Sequence, residues 1–372
     1  MRRLAAAAAC SVVCAVQAVE PAQLAREIGV DPSKEVAQQG RLFEDVVVAP
    51  IPISNPTVGT GLAVVVMPFY HLGDESPLSN TAIALGYTSS GSWAIGAAQT
   101  TRLRGDDLRI DGFLAYINLR YPFYGVGAGA GEKGVGVPIE QKAFAFAPEL
   151  LFKVAPGIFL GARYRGVRVD TALDTADVTP GLAPIIDVSS SITTSGLGPV
   201  AVLDTRDNEM SPASGWLADF RANFAEHNFG SDGSYRTFSA SANHYRRMGP
   251  GVLALRAYAC GASDQTPLFD LCLFGAGNDL RGYEIGRYRD RAMFAAQGEY
   301  RFPLGGRFGA VAFAGTGKVG PEFGAMGNEP WLSSVGAGVR WLASQKARVN
   351  LSFDLAHGRD GTSAYMYVKE AF

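Results

Sequence analysis

Histidine and cysteine are both scarce in this chain, with four of each among 372 residues. Cys10 and Cys14 lie in the N-terminal apolar run, so the body of the chain holds only Cys260 and Cys272. That stock is too small for a structural metal centre, and no metal or other cofactor is expected. The histidines, His71, His227, His244 and His357, have no Ser, Asp or Glu at a spacing that marks a hydrolytic triad, so enzymatic activity is not expected. Charge of one sign is lacking as well. The formal net charge is -2 and no Lys/Arg run stands out, which removes the electrostatic basis for binding nucleic acid. Long apolar runs are absent beyond the N-terminus: Pro50 and Pro52 interrupt VVVAPIPI, and Pro68 interrupts LAVVVMPFY. A membrane-spanning helix needs about 20 predominantly apolar residues.

What is present is a hydrophobic fraction of 47%, an aromatic fraction of 10% and 45 glycines. The N-terminus, MRRLAAAAACSVVCAVQA, has two arginines, an apolar run and small residues at Val16 and Ala18, the pattern of a secretory signal over 1–18. An exported chain this apolar without helical spans reads as an all-β transmembrane antiparallel barrel, in which each strand turns only alternate residues to lipid. Alternation is clearest late in the chain. In VLALRAYAC, Leu253, Leu255, Ala257 and Ala259 oppose Arg256 and Tyr258. In AMFAAQGEYRF, Phe294, Ala296, Tyr300 and Phe302 oppose Gln297, Glu299 and Arg301. A face bearing both signs of charge suits a wet lumen better than a dry core.

Turn signals divide residues 43–372 into about sixteen strands, the first over 43–53 and the last over 361–372. Short turns such as KVAPG and RRMGPG fall on one side of the membrane, and the long connections near 120–138, 172–189, 264–290 and 320–329 on the other. The segment 19–42 between signal and barrel is read as a short periplasmic stretch, below the roughly 50 residues of a small domain. Cys260 and Cys272 flank GASDQTPLFDL and form either a disulfide or two buried thiols; an oxidising compartment permits the first. GAGEKG over 129–134 matches a dinucleotide fingerprint in letters only, because the strand and helix it needs around it are not expected there. The cluster Asp204, Arg206 and Asp207 reads as a turn whose Arg satisfies neighbouring carboxylates.

The stretch FGAGNDLRGYEIGRYRD places LRGY, Leu280 to Tyr283, ahead of five expected strands. With LDTRDNEMSPASGW at 203–216, GEYRFPL at 298–304, VGAGVRW and LSFDLAHGRDG, it resembles the BamA/TamA superfamily of outer-membrane proteins, the bacterial surface antigen family. The resemblance covers roughly the last 170 residues. It implies an outer loop folded into the lumen, with Arg281, Gly282 and Tyr283 forming a latch against acidic groups of the inner wall. Arg suits that place because its planar fork of donors can be held by carboxylates. Glu299 faces inward and is the expected partner. The family's Phe-x-Asp-x-Gly is FAGTG here, with Gly315 in the acidic position and Asp354 as the expected substitute. That departure implies a looser tie.

The chain ends AYMYVKEAF, with Phe372, Val368 and Met366 on one face, resembling the C-terminal signal that barrels present to the assembly machinery. Glu370 shares that face and is expected near the membrane interface. The resemblance implies insertion or translocation of proteins or lipids at the bacterial outer membrane through a seam between 43–53 and 361–372, without POTRA domains on this chain. Its partners would be outer-membrane lipid, the assembly machinery, and protein or lipid clients. The alternative is a passive, porin-like channel plugged by the 264–290 loop; an adhesive surface barrel is a third reading.

Overall fold

The computed structural model describes residues 43–55, 57–73, 75–174, 189–275 and 279–372. The expected signal over 1–18 and the segment 19–42 lie outside the described residues. The barrel strands are β1 (Asp45–Asn55), β2 (Gly59–Tyr70), β3 (Ser79–Thr88), β4 (Trp93–Leu103), β5 (Leu108–Phe123), β6 (Val137–Ala155), β7 (Ile158–Leu173), β8 (Ser190–Asp204), β9 (Gly215–Ala225), β10 (Tyr235–Met248) and β11 (Gly251–Ala262). After a long loop containing the paired short strands β12 (Cys272–Leu273) and β13 (Arg289–Asp290), the wall resumes with β14 (Ala292–Gly305), β15 (Phe308–Gly320), β16 (Leu332–Ser344), β17 (Val349–Gly358) and β18 (Gly361–Val368). Each wall strand pairs antiparallel with its neighbours, and β1 meets β18 to close a sixteen-stranded barrel. Closure satisfies the backbone groups that lipid cannot.

The pleat sorts the sequence. On β2, Leu62, Val64 and Val66 are exposed outward, while Ala63, Val65 and Met67 alternate with them. On β14, Gln297, Glu299 and Arg301 are buried inside and Phe294 faces out. In-register partners share a face, so the polarity of the lumen can be followed around the wall. Late strands carry Arg, Asp and Glu inward. Early strands carry inward charge toward one end, at Arg109, Asp111, Glu149 and Arg163, and turn apolar further along: Ile117 pairs with Ala143, Ala145 with Val167, and Ala143 with Val169.

The seam departs from the rest of the wall. β1 and β2 are paired along eleven residues, from Asp45↔Phe69 to Asn55↔Gly59, through both Pro50 and Pro52. Between β1 and β18 the register among the described residues contains one pair, Ser54↔Ala364. Proline lacks the ladder donor and is tolerated where pairing is given up on one side. Toward the other end of β1 apolar packing takes over, joining Val47, Ala49 and Phe69 to Ala347, Val349 and Val368. Asp45 also accepts a hydrogen bond from the Ser344 hydroxyl.

The last strand is shorter than the 361–372 expected from sequence. It ends at Val368, because Lys369 takes a positive φ of 90° and turns the tail off the wall. The fingerprint-like GAGEKG also differs from its expectation: Ala128–Lys133 forms a single short helix, α1, closed by Gly134 in the left-handed conformation. It packs on the long loop, where Arg287 donates to the Gly131 carbonyl at 3.1 Å.

The seam register gives a direct test. A Ser54→Cys/Ala364→Cys pair is expected to crosslink on mild oxidation in membranes, whereas Ala49→Cys/Lys369→Cys, five residues further along the same register, is not. Equal crosslinking of both pairs would mean that the ladder runs the full seam.

Candidate functional site

The loop between β11 and β14 enters the lumen and is fixed at several points. Cys260 on β11 and Cys272 on β12 form a disulfide, which holds the start of the loop to the wall. Gly282 has a φ of 104°, a conformation open to glycine, and its backbone lies against Gly358 of β17. Its N–H donates to the Tyr365 hydroxyl at 2.8 Å. Tyr283 is buried, packs edge-on to Phe274 and Tyr288, and donates its hydroxyl to the Ser333 carbonyl at 2.7 Å. A phenol suits such a place because its body is apolar and its tip still finds an acceptor.

Arg281 is the deepest element. Its side chain is wholly buried, as are those of Glu299 and Asp354. One terminal nitrogen donates to Glu299 at 2.6 Å and to Gln297 at 3.1 Å; the other donates to Asp354 at 2.5 Å. The guanidinium carbon lies 3.5 Å from the Phe313 ring centroid, so the flat face is covered as well. The interactions continue into a closed ring of alternating charge. Glu299 accepts from Arg301 at 2.5 Å, Arg301 faces Glu370 at 3.6 Å, Glu370 accepts from Arg340 at 2.7 Å, and Arg340 donates to Asp354 at 2.5 Å. Tyr367 donates its hydroxyl to Asp354 from β18.

Three expectations change here. Glu370 does not reach the membrane interface: it is 4% exposed, inside the lumen, because the buried Arg301 and Arg340 guanidiniums need a third carboxylate. Phe372 leaves the Met366 face with it. Its carbonyl accepts from Arg301 at 2.8 Å and its ring stands 5.6 Å from that guanidinium, while Val368 packs in the seam. The tie is also not loosened by Gly315. A Cβ there would come within 2.4 Å of the Leu280 side chain, so the glycine makes room for the loop while Asp354 supplies the second acid.

Alternation turns Gln297 and Arg301 inward, but sequence reasoning misses Arg340 and Glu370 of the ring and Tyr367, which donates to it. Arg340 had a signal in the inward parity of VGAGVRW; Glu370 had none, because its position depends on where the last strand stops.

At the opposite mouth the turn 205–214 is tied to the inner wall by ion pairs. Arg206 pairs with Asp204 at 2.8 Å, Arg109 bridges Asp204 and Asp106, and Arg102 holds Glu209 at 3.0 Å and Asp111 at 2.7 Å. Partial burial raises the Asp207 carboxyl, but the N–H groups of Ala213 and Ser214, together with Arg247, hold it below the usual range. The turn therefore keeps this support until strongly acid pH.

A family model described as the Omp85 superfamily domain matches residues 160–362, which run from β7 to the start of β18 and carry the ring apart from its C-terminal acid. The chain belongs to the Omp85 superfamily. Solved Omp85-like barrels agree in fold. BamA from Haemophilus ducreyi lacking POTRA domains 1–3 aligns over 88% of this chain and 74% of that one, with a TM-score of 0.56 and 14% identity. CdiB from Escherichia coli aligns over 87% and 62%, with a TM-score of 0.58 and 14% identity. CdiB from Acinetobacter baumannii aligns over 86% and 58%, with a TM-score of 0.55 and 10% identity. The chain thus spans about three fifths of the CdiB chains it matches. No curated protein sequence matches it.

Within this Omp85 barrel, Glu299→Gln is expected to lower unfolding stability in detergent by about 3 kcal/mol or more, since removing one partner leaves a buried charge short of its counter-ion. The same change should speed protease cleavage within 264–290 in membranes; an unchanged cleavage rate would remove the Arg281–Glu299 tie. Gly315→Asp, which restores the family's acid, is expected to destabilise the barrel and raise loop cleavage, because its side chain collides with Leu280.

Proposed function

We propose that this Omp85 barrel resides in the bacterial outer membrane and takes part in inserting or translocating proteins or lipids there, without catalysing a chemical reaction. The observation that carries this reading is the seam, where among the described residues one registered pair joins β1 to β18. The other wall ladders around the barrel are longer, so the weakest edge is also the place where two strand ends can part. Parting exposes unpaired backbone to an incoming strand or a path to lipid. Val368 and Met366, with Phe372 before the tail folds inward, are the residues the assembly machinery would read on the nascent chain.

A passive channel is the second reading. The loop from outside and the 205–214 turn from the opposite mouth both occupy the lumen, which favours the seam over the axis as the working path. The loop ties act as a latch that keeps the axis closed while the seam works.

Locking the seam as the Ser54→Cys/Ala364→Cys disulfide is expected to abolish delivery of a nascent barrel substrate in reconstituted vesicles, and reduction should restore it. Arg281→Ala should raise conductance in planar bilayers. Full delivery by the locked barrel, together with high conductance of the unaltered protein, would favour the channel.

A further inference from the structure

Across the lumen from the charge ring, the stretches of β5, β6 and β7 beyond Asp111, Glu149 and Arg163 turn a largely apolar surface inward, interrupted by Gln141 and Arg165, although the lumen of a solute channel is expected to be polar. They border a cavity of about 390 Å³, within the roughly 300–1,000 Å³ of small-ligand sites. Phe113, Ile117, Ala145 and Val167 line it from the wall, and Phe269 and Leu273 from the inserted loop. Phe113 remains 45% exposed although the register turns it inward, so the wall is not filled by protein. Val58, in the hairpin joining β1 and β2, brings the cavity to the seam strand.

Two guanidiniums reach this cavity, and they differ. Arg165 is neutralised by Asp270 at 2.6 Å. Arg289 is 2% exposed, donates its Nε–H to the Gly286 carbonyl at 2.8 Å, and lies 4.9 Å from the Phe123 ring centroid. Among the described residues no carboxylate forms an ion pair with it. Its cation is thus held beside an apolar cavity by a carbonyl and an aromatic face, an arrangement completed by an anion brought from outside.

We infer that the cavity binds a single acyl chain carrying an anionic head group, with the chain along β5–β7 and the head at Arg289. This names a cargo class for the translocation reading and rests on it for its biological sense, while the binding itself does not depend on transport.

The test is native mass spectrometry of the full chain, released from detergent micelles after incubation with palmitate, with a lysophosphatidylglycerol of the same acyl length, or with the fatty alcohol of that length. A bound anion in clear excess over the alcohol supports the site, and the anion retained identifies a carboxylate or a phosphate head. Arg289→Gln is expected to lower anion occupancy by about tenfold and to erase the preference over the alcohol. Ala145→Trp, which fills the cavity, should remove all three adducts. Unaltered heat-modifiability on gels checks that each variant has folded, and should Ala145→Trp fail to fold, Arg289→Gln carries the test alone. Equal retention of anion and alcohol by the unaltered protein, or unchanged anion binding in Arg289→Gln, overturns the proposal. Loss of delivery in the seam-locked barrel with no anion binding would sink this inference alone. Anion binding with no effect of the lock would sink the translocation reading alone.

Discussion

Burying the Arg281 guanidinium is the constraint around which the late half of the barrel is organised. A buried cation without partners is very unfavourable, and each carboxylate brought to meet it needs a cation of its own. The solution is a ring, Arg281, Glu299, Arg301, Glu370, Arg340 and Asp354, in which each charge stands between two of opposite sign. Its members come from the inserted loop, β14, β16, β17 and the C-terminal tail. Removing one leaves its neighbours under-compensated, so loop, wall and tail are held as a unit.

The ring and the seam draw on the same residues. For β18 to pair further with β1, the chain after Val368 would have to continue along the wall. Instead Lys369 turns it inward, and Glu370 and Phe372 are used by Arg340 and Arg301. The network that fixes the loop therefore shortens the seam, and the two prolines of β1 are tolerated where that pairing has been given up. Apolar contacts at Val47, Ala49 and Val368 take the place of hydrogen bonds there. Such contacts are less directional than a ladder, which suits an edge that has to part and close again.

Much of the architecture was legible in the residues. The period-two alternation of β11 and β14 and the turn signals between strands give the barrel and the facing of Glu299 and Asp354, because each depends on local geometry that repeats along a strand; the inward loop follows only from the resemblance carried by LRGY. Sequence leaves the Cys260–Cys272 pair between two readings, since spacing alone does not say whether two Cβ atoms approach. Gly315 misled in one respect. Read alone it is a missing acid, whereas in three dimensions it is the space occupied by Leu280.

The sequence by itself determined that the chain forms a barrel, which residues face lipid and which face the lumen, because the pleat assigns these strand by strand. Tertiary structure decided where β18 stops, that Glu370 and Phe372 turn inward, and how six charges from distant segments close into one ring. It also decided that the apolar stretches on the inner faces of β5 to β7 meet beside Arg289. Those outcomes depend on desolvation and on contacts between residues far apart in sequence, and no local period encodes either.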